Sequence, residues 1–473
     1  MAAIWVIAKA RRIYLILALF ALYQVVGIAP MTIEGSPKPW NPPLLPVYRF
    51  MTAQLPIRMS GLELCYMGLF AIAIIRGLLG IRIDTEKRQS TSRLLYLALL
   101  TIFGGIIWLE VRGILRGYAD VRQTLWQFHG LVWLAGLPMF LASSTRDARE
   151  ARIYAYMFTG AAMAKIAWGV YLFATVAWPY GVAPESMTGH EDSIMYVMCL
   201  FFWISAAVHK PSKAAVWRLL FFGGWILYGM ALNNRRIAYV GLGVGLLTLY
   251  LLLKGPMKRA ATKNMLRALP FIVVYLAIGA NRPRGIFKPA SMIMSVGKQK
   301  DASSQTRDIE NFNLIQTLRP HMFAGSGWGY EYNEVVKADD ISKFFPQYRY
   351  IAHNSILWLV SIGGMIGFAI LWIPFSVAMF MGMRAYRMAD DWQDKVAAST
   401  AVAVMGMFIV QAWGDMGTQG MLCGQVIATA LMVIGKLAYS TGAWPTGIKI
   451  FGETPAPRPQ RIPRTAPRPP QVA

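Results

Sequence analysis

Apolar stretches of about 20 residues recur along almost the whole chain, the length a helix needs to cross a bilayer. Twelve can be counted, near residues 13–28, 61–81, 94–109, 125–142, 153–178, 194–208, 219–232, 237–253, 268–280, 353–383, 396–413 and 421–439. Polar segments between them are mostly short. The exception is 281–352, which predicts a large loop between spans nine and ten. Within it Ile309, Phe312, Ile315 and Leu318 recur at helical spacing, predicting an amphipathic helix over Asp308–Leu318 with Arg307 in its first turn. Pro37, Pro39, Pro42, Pro43, Pro46 and Pro56 exclude regular helix from most of 30–58. The chain thus divides into spans one to nine (1–280), the loop (281–352), spans ten to twelve (353–439) and a Pro/Arg-rich tail (440–473), expected to be extended and disordered.

Composition agrees with an all-α polytopic membrane protein. The 473 residues are 56% hydrophobic and 15% charged, with a mean hydropathy of +0.42, against about 25% charge in soluble domains. The net charge of +24 would point to nucleic acid in a soluble protein. Here it has a simpler origin, because cytoplasmic loops of membrane proteins collect Lys and Arg. Loops on the side of the N-terminus hold Lys87, Arg88, Arg146, Arg149, Arg152, Lys210, Lys213, Lys254, Lys258, Arg259, Lys263, Arg384 and Arg387, and the segment KGPMKRAATKNMLR is the most basic of them. Both termini are therefore expected in the cytoplasm and the long loop outside. The first run has no small-residue cleavage site after it and reads as a retained span. Cys65, Cys199 and Cys423 all lie in apolar runs, so neither a disulfide framework nor a zinc pattern is available.

Three outer cation sites are candidates for chemistry. Arg235-Arg236 form the very short NNRR turn between spans seven and eight, where they either meet an anion or snorkel to headgroups. Arg307 opens the expected loop helix, where a solvated surface charge is the plainer reading, and Arg319 follows that helix. His353-Asn354 stand where the loop re-enters the membrane. A histidine there is commonly a cap or interface residue, but its ordinary pKa of about 6.5 also suits proton transfer at neutral pH. Between them, GSGWGYEY holds Gly325, Gly327, Trp328 and Tyr330. This cluster lacks the Lys-Ser/Thr of a P-loop and reads as a tight turn whose aromatics either stack on sugar rings or sit at the interface. Glu63, Arg76, Glu110 and Lys165 lie in or near apolar runs, where ionisable groups are costly. Lys165 is the deepest and calls for a carboxylate partner. No metal-ligand spacing or acidic pair appears on the outer side, so metal-independent chemistry is expected.

The ordered set NNRRIAY, Thr-Arg before an amphipathic helix, Gly-x-Gly, His-Asn-x-x-Leu and Gly-x-x-Gly resembles the O-antigen ligase/polymerase family over roughly Trp217–Phe375. GHEDSIMYV is a looser match, with Asp192 where the family usually carries Asn. Arg236 is the better match to the family's arginine, and Arg235 stands where the family has a serine. The resemblance implies a GT-C-like scaffold in a bacterial inner membrane. The activity it implies is metal-independent, inverting transfer of a glycan from undecaprenyl pyrophosphate to an acceptor at the periplasmic face. That acceptor is lipid A core, another repeat unit or a protein. By the same resemblance His353 takes the acceptor's proton, while Arg236 and Arg307 hold the pyrophosphate. Arg235, Asn354, Gly325, Gly327, Trp328, Tyr330 and Arg319 bind substrate, with no cofactor. A lipid-linked glycan flippase is the rival from another class. It calls for repeat symmetry and ionisable residues along several spans, and little of either is visible.

Overall fold

The computed structural model describes residues 12–26, 45–52, 59–79, 89–118, 120–180, 186–282, 285–295, 302–338, 340–342 and 347–448. Of these, 79% are helical. In chain order the helices are α1 (Arg12–Val26), α2 (Leu45–Thr52), α3 (Gly61–Leu78), α4 (Arg93–Leu115), α5 (Val121–Ser144), α6 (Arg152–Leu172), α7 (Asp192–His209), α8 (Lys213–Asn233), α9 (Arg236–Leu252), α10 (Gly255–Gly279), α11 (Lys288–Ser295), α12 (Ala302–Leu318), α13 (Ser355–Met388), α14 (Trp392–Gly414) and α15 (Met421–Ser440). Among the described residues the strand content is one two-residue antiparallel pair, β1 (Thr91–Ser92) with β2 (Gly447–Ile448). Nine helices among the described residues are long and apolar enough to cross a membrane, and three further apolar helices are shorter. The protein is an all-helical, multi-pass membrane protein. The expected disorder of the tail, and the cations Lys87 and Arg88, lie outside the described residues.

Helices α7, α14 and α15 form the centre. The apolar windows of α14 and α15 are 78% and 89% buried, against 0% for α10. A bilayer offers no hydrophobic drive between helices, so close packing at small residues holds them together. Gly241 and Gly245, four apart on α9, admit the side chains of Met407 and Phe201 so closely that a Cβ at either would overlap them.

Two expectations need correction. The segment KGPMKRAATKNMLR is the first half of α10 and not a loop. Pro256 sits at the first helical positions, where its fixed φ suits the helix. The Lys, Arg, Ala, Met and Leu after it are strong helix formers whatever their charge. The second correction concerns α13, which is two helices joined at Gly364 (φ 61°, ψ −171°). Its longer part begins about three turns after His353.

Candidate active site

The break in α13 explains the glycine-rich stretch. Breaking a helix frees backbone groups that must find partners. The N–H groups of Met365 and Ile366 donate to the carbonyls of Met322 and Phe323 at 2.9 and 3.0 Å, and the Ile362 carbonyl accepts from Gly327 N–H at 3.1 Å. The loop is stitched into the break. Gly325 has φ +69° and a Cβ there would lie 2.0 Å from the Ile362 oxygen, so only glycine fits. Gly327 packs as tightly against Gly113 of α4. Trp328 is fully buried, donating its indole N–H to the Ile106 carbonyl at 3.1 Å beside Trp358 and Phe128. Gly325, Gly327 and Trp328, expected to bind substrate, fasten the loop to α4 and α13. Tyr330 packs edge-on to Tyr118, and Arg319 is exposed in the turn after α12.

Helix α12 exists, and it buries its polar face against the protein while its apolar stripe faces outward. The apolar Phe312 and Ile315 are exposed, while Glu310, Asn313, Leu314 and Thr317 are buried. A polar inner face is stable only when each group is bonded, and these are. The Asn313 Oδ1 accepts from the N–H groups of Val335 and Val336, both at 3.0 Å. Thr317 accepts from Asn333 N–H at 2.8 Å. Glu310 reaches His353, accepting from its backbone N–H at 3.0 Å and meeting Nδ1 at 3.3 Å through both carboxylate oxygens. A carboxylate there holds the Nδ1–H tautomer and leaves Nε2 as the basic nitrogen. Asn354 caps the first part of α13, accepting from Leu357 N–H at 3.0 Å, and donates to Asn311 at 3.1 Å. It is buried and fastens α12 to α13.

The second half of the site rests on a buried polar knot. Lys165 finds its carboxylate in Asp192, at 2.6 Å with both side chains enclosed. Asp192 also accepts from Gly189 N–H at 2.7 Å. Asn233, at the end of α8, donates to Thr188 and to the Gly189 carbonyl at 2.9 and 2.6 Å and accepts from Ser193 at 2.8 Å. The knot fixes the turn carrying His190 and Glu191 beside the end of α8. Asn234 then takes a left-handed conformation (φ 56°), which Asn tolerates better than most residues. Arg235 follows as N-cap of α9, its guanidinium against the His190 ring.

These two halves face one cleft of about 350 Å³, lined by His190, Glu191, Arg235, Arg307, His353 and Asp415 among others. Arg307 arrives from the first turns of α12, and Asp415 from the end of α14. Arg236 is not among the lining residues, so of the adjacent pair it is Arg235 that faces the cleft. Burial pushes the Glu191 carboxyl up to about 7, with Asp415 adding to the rise and the backbone N–H groups of Leu422 and Cys423 opposing it. Its Oε2 accepts from Leu422 N–H at 3.0 Å, at the start of α15. Near neutral pH the cleft therefore carries a cationic balance from its two guanidiniums. Among the described residues, no three His, Cys, Asp or Glu side chains gather as a metal ion requires.

Sequence reasoning missed Glu310, Glu191 and Asp415. Glu310 was findable, since it stands three residues after Arg307 and so shares its helix face. Glu191 sits inside the quoted GHEDSIMYV. Nothing local marks Asp415. No protein-family profile matches the chain, and no curated protein matches it either.

Proposed function

We propose that the protein is a metal-independent, inverting glycosyltransferase. In this reading it moves a glycan from undecaprenyl pyrophosphate to a hydroxyl acceptor at the periplasmic face of a bacterial inner membrane. It works as an O-antigen ligase does, on a GT-C-like scaffold of twelve spans with both termini cytoplasmic. One observation carries the reading: Arg235, Arg307 and His353, separated by more than a hundred residues, line a single cleft. A pyrophosphate leaving group concentrates negative charge, and guanidiniums stabilise such charge bidentately. His353 Nε2 takes the acceptor's proton as the acceptor oxygen bonds the anomeric carbon. The carbon–pyrophosphate bond breaks on the opposite face, and Arg235 and Arg307 receive the charge. Glu310 holds the imidazole and stabilises its charged form.

The test uses the purified full chain, undecaprenyl-pyrophosphate glycan and candidate acceptors, without divalent metal. Turnover is expected, and it is expected to fall further in Arg235→Ala than in Arg236→Ala. Binding of the donor without turnover favours a transporter. In cells, wild-type glycan assembly by a normally abundant His353→Ala protein would end the catalytic assignment. Loss of a ligase leaves long lipid-linked polymer, whereas loss of a polymerase leaves single capped repeats.

A further inference from the structure

A second cavity, of about 280 Å³, opens at the other end of the bundle. The candidate cleft draws on the residues just before α7, just after α8 and at the end of α14. The second cavity draws on the later turns of α7, the start of α8 and the first half of α14, with the start of α6 and the middle of α15. Its walls are apolar, with Phe158, Met198, Phe202, Trp203, Val404 and Val433 prominent. From Met198 to Lys210 it follows α7 for twelve residues, about 18 Å at helical rise and close to one leaflet's half of the ~30 Å hydrocarbon core. Tyr156, half exposed on α6, stands at its side.

Cations ring the mouth. Arg149 is engaged by Asp391 at 2.6 Å and by Asp394. The Lys210 ammonium lies 4.5 Å over the Trp392 ring, which positions the charge without neutralising it. Arg152 and Arg218 have no carboxylate partner among the described residues, and Glu150 beside them is taken by Arg146. Three cations with no ion pair among the described residues thus stand over an apolar shaft about one leaflet deep.

We propose that this cavity holds one anionic phospholipid from the leaflet opposite the candidate site. Its phosphodiester lies among Arg152, Lys210 and Arg218, and an acyl chain lies between α6, α7 and α14. Basic pockets between membrane helices recognise anionic headgroups through charge-assisted hydrogen bonds. A choline headgroup would bring its own cation against three others, and a soluble phosphate would leave the apolar shaft empty.

The experiment releases the full chain from nanodiscs of equal phosphatidylglycerol and phosphatidylcholine and weighs the retained lipid by native mass spectrometry. One phosphatidylglycerol per chain is expected. The triple change Arg152→Gln, Lys210→Gln, Arg218→Gln, at exposed rim positions, should lower its retention about a hundredfold, at roughly a factor of five per cation. Ala401→Phe, which fills the shaft and leaves the rim charges, should lower it as well. Equal retention of the two lipids by the wild type would overturn the proposal. So would undiminished phosphatidylglycerol on the triple variant, or displacement of the lipid by millimolar glycerol phosphate. If Ala401→Phe fails to fold, the triple variant alone decides.

Discussion

Glu310→Gln separates a positioning carboxylate from a merely structural one. The change keeps size and leaves an amide oxygen to accept the His353 backbone N–H at its present 3.0 Å, so the fold should survive. What it removes is the charge 3.3 Å from Nδ1. A hydrogen bond to a charged group contributes about 1.5–3 kcal/mol and a neutral one about 0.5–1.5. The loss of about 1–2 kcal/mol falls on the imidazolium formed in the transition state, roughly five- to thirtyfold in kcat. The KM for the lipid-linked donor should barely move, because Arg235 and Arg307 are untouched. The drop grows if the new amide N–H₂ turns toward Nδ1, since the ring proton then sits on Nε2. Initial transfer rates of the single and double variants with His353→Ala give the measurement. Because Glu310 acts through His353, the double variant should be no slower than His353→Ala alone. Wild-type kcat in Glu310→Gln, or losses that multiply in the double variant, would refute the reasoning.

Three further outcomes follow from the same structure. Gly325→Ala places a Cβ 2.0 Å from the Ile362 oxygen at a positive φ; it should cost more than about 2 kcal/mol, seen as a lower Tm in detergent, whereas Gly68→Ala, with nothing within 4 Å, should be silent. Glu191 is raised from its ordinary 4.5 to about 7, so the folded chain binds more protons than the unfolded one between those values. Stability should therefore fall as pH rises through that window, by up to about 3 kcal/mol, and then level off; Glu191→Gln should flatten the Tm profile between pH 5 and 8. Lys165→Met strands the enclosed Asp192 carboxylate and should cost about 3–5 kcal/mol, while adding Asp192→Asn should recover most of it; yield and Tm of the two variants decide.

The apolar helices were legible because a run of twenty apolar residues has few alternatives; the boundaries moved where charged helix formers extended a helix, as in α10, and where a glycine broke one, as in α13. Arg235 and His353 were legible because each stands at the end of an apolar run, and Arg307 because it precedes a helical stripe. The glycines were not, because their partner is the α13 break, and φ at Gly364 has no local signature distinct from an ordinary helical glycine. The polar inward face of α12 was hidden for a related reason. Helical spacing gives a stripe, and only tertiary contacts decide which side turns inward. Here Glu310, Asn313 and Thr317 have backbone partners on the loop and at His353, whereas Phe312 and Ile315 have none.

The buried Trp328 also says something about the order of assembly. Its indole N–H bonds a carbonyl on α4 that precedes it by 222 residues. At about 5–20 residues per second of synthesis, α4 waits roughly ten to forty seconds for that partner. Six long or short apolar helices, among the described residues, enter in the meantime. The cleft itself draws on residues as late as Cys423. A nascent chain halted before α13 would hold most of its membrane helices and none of its finished site.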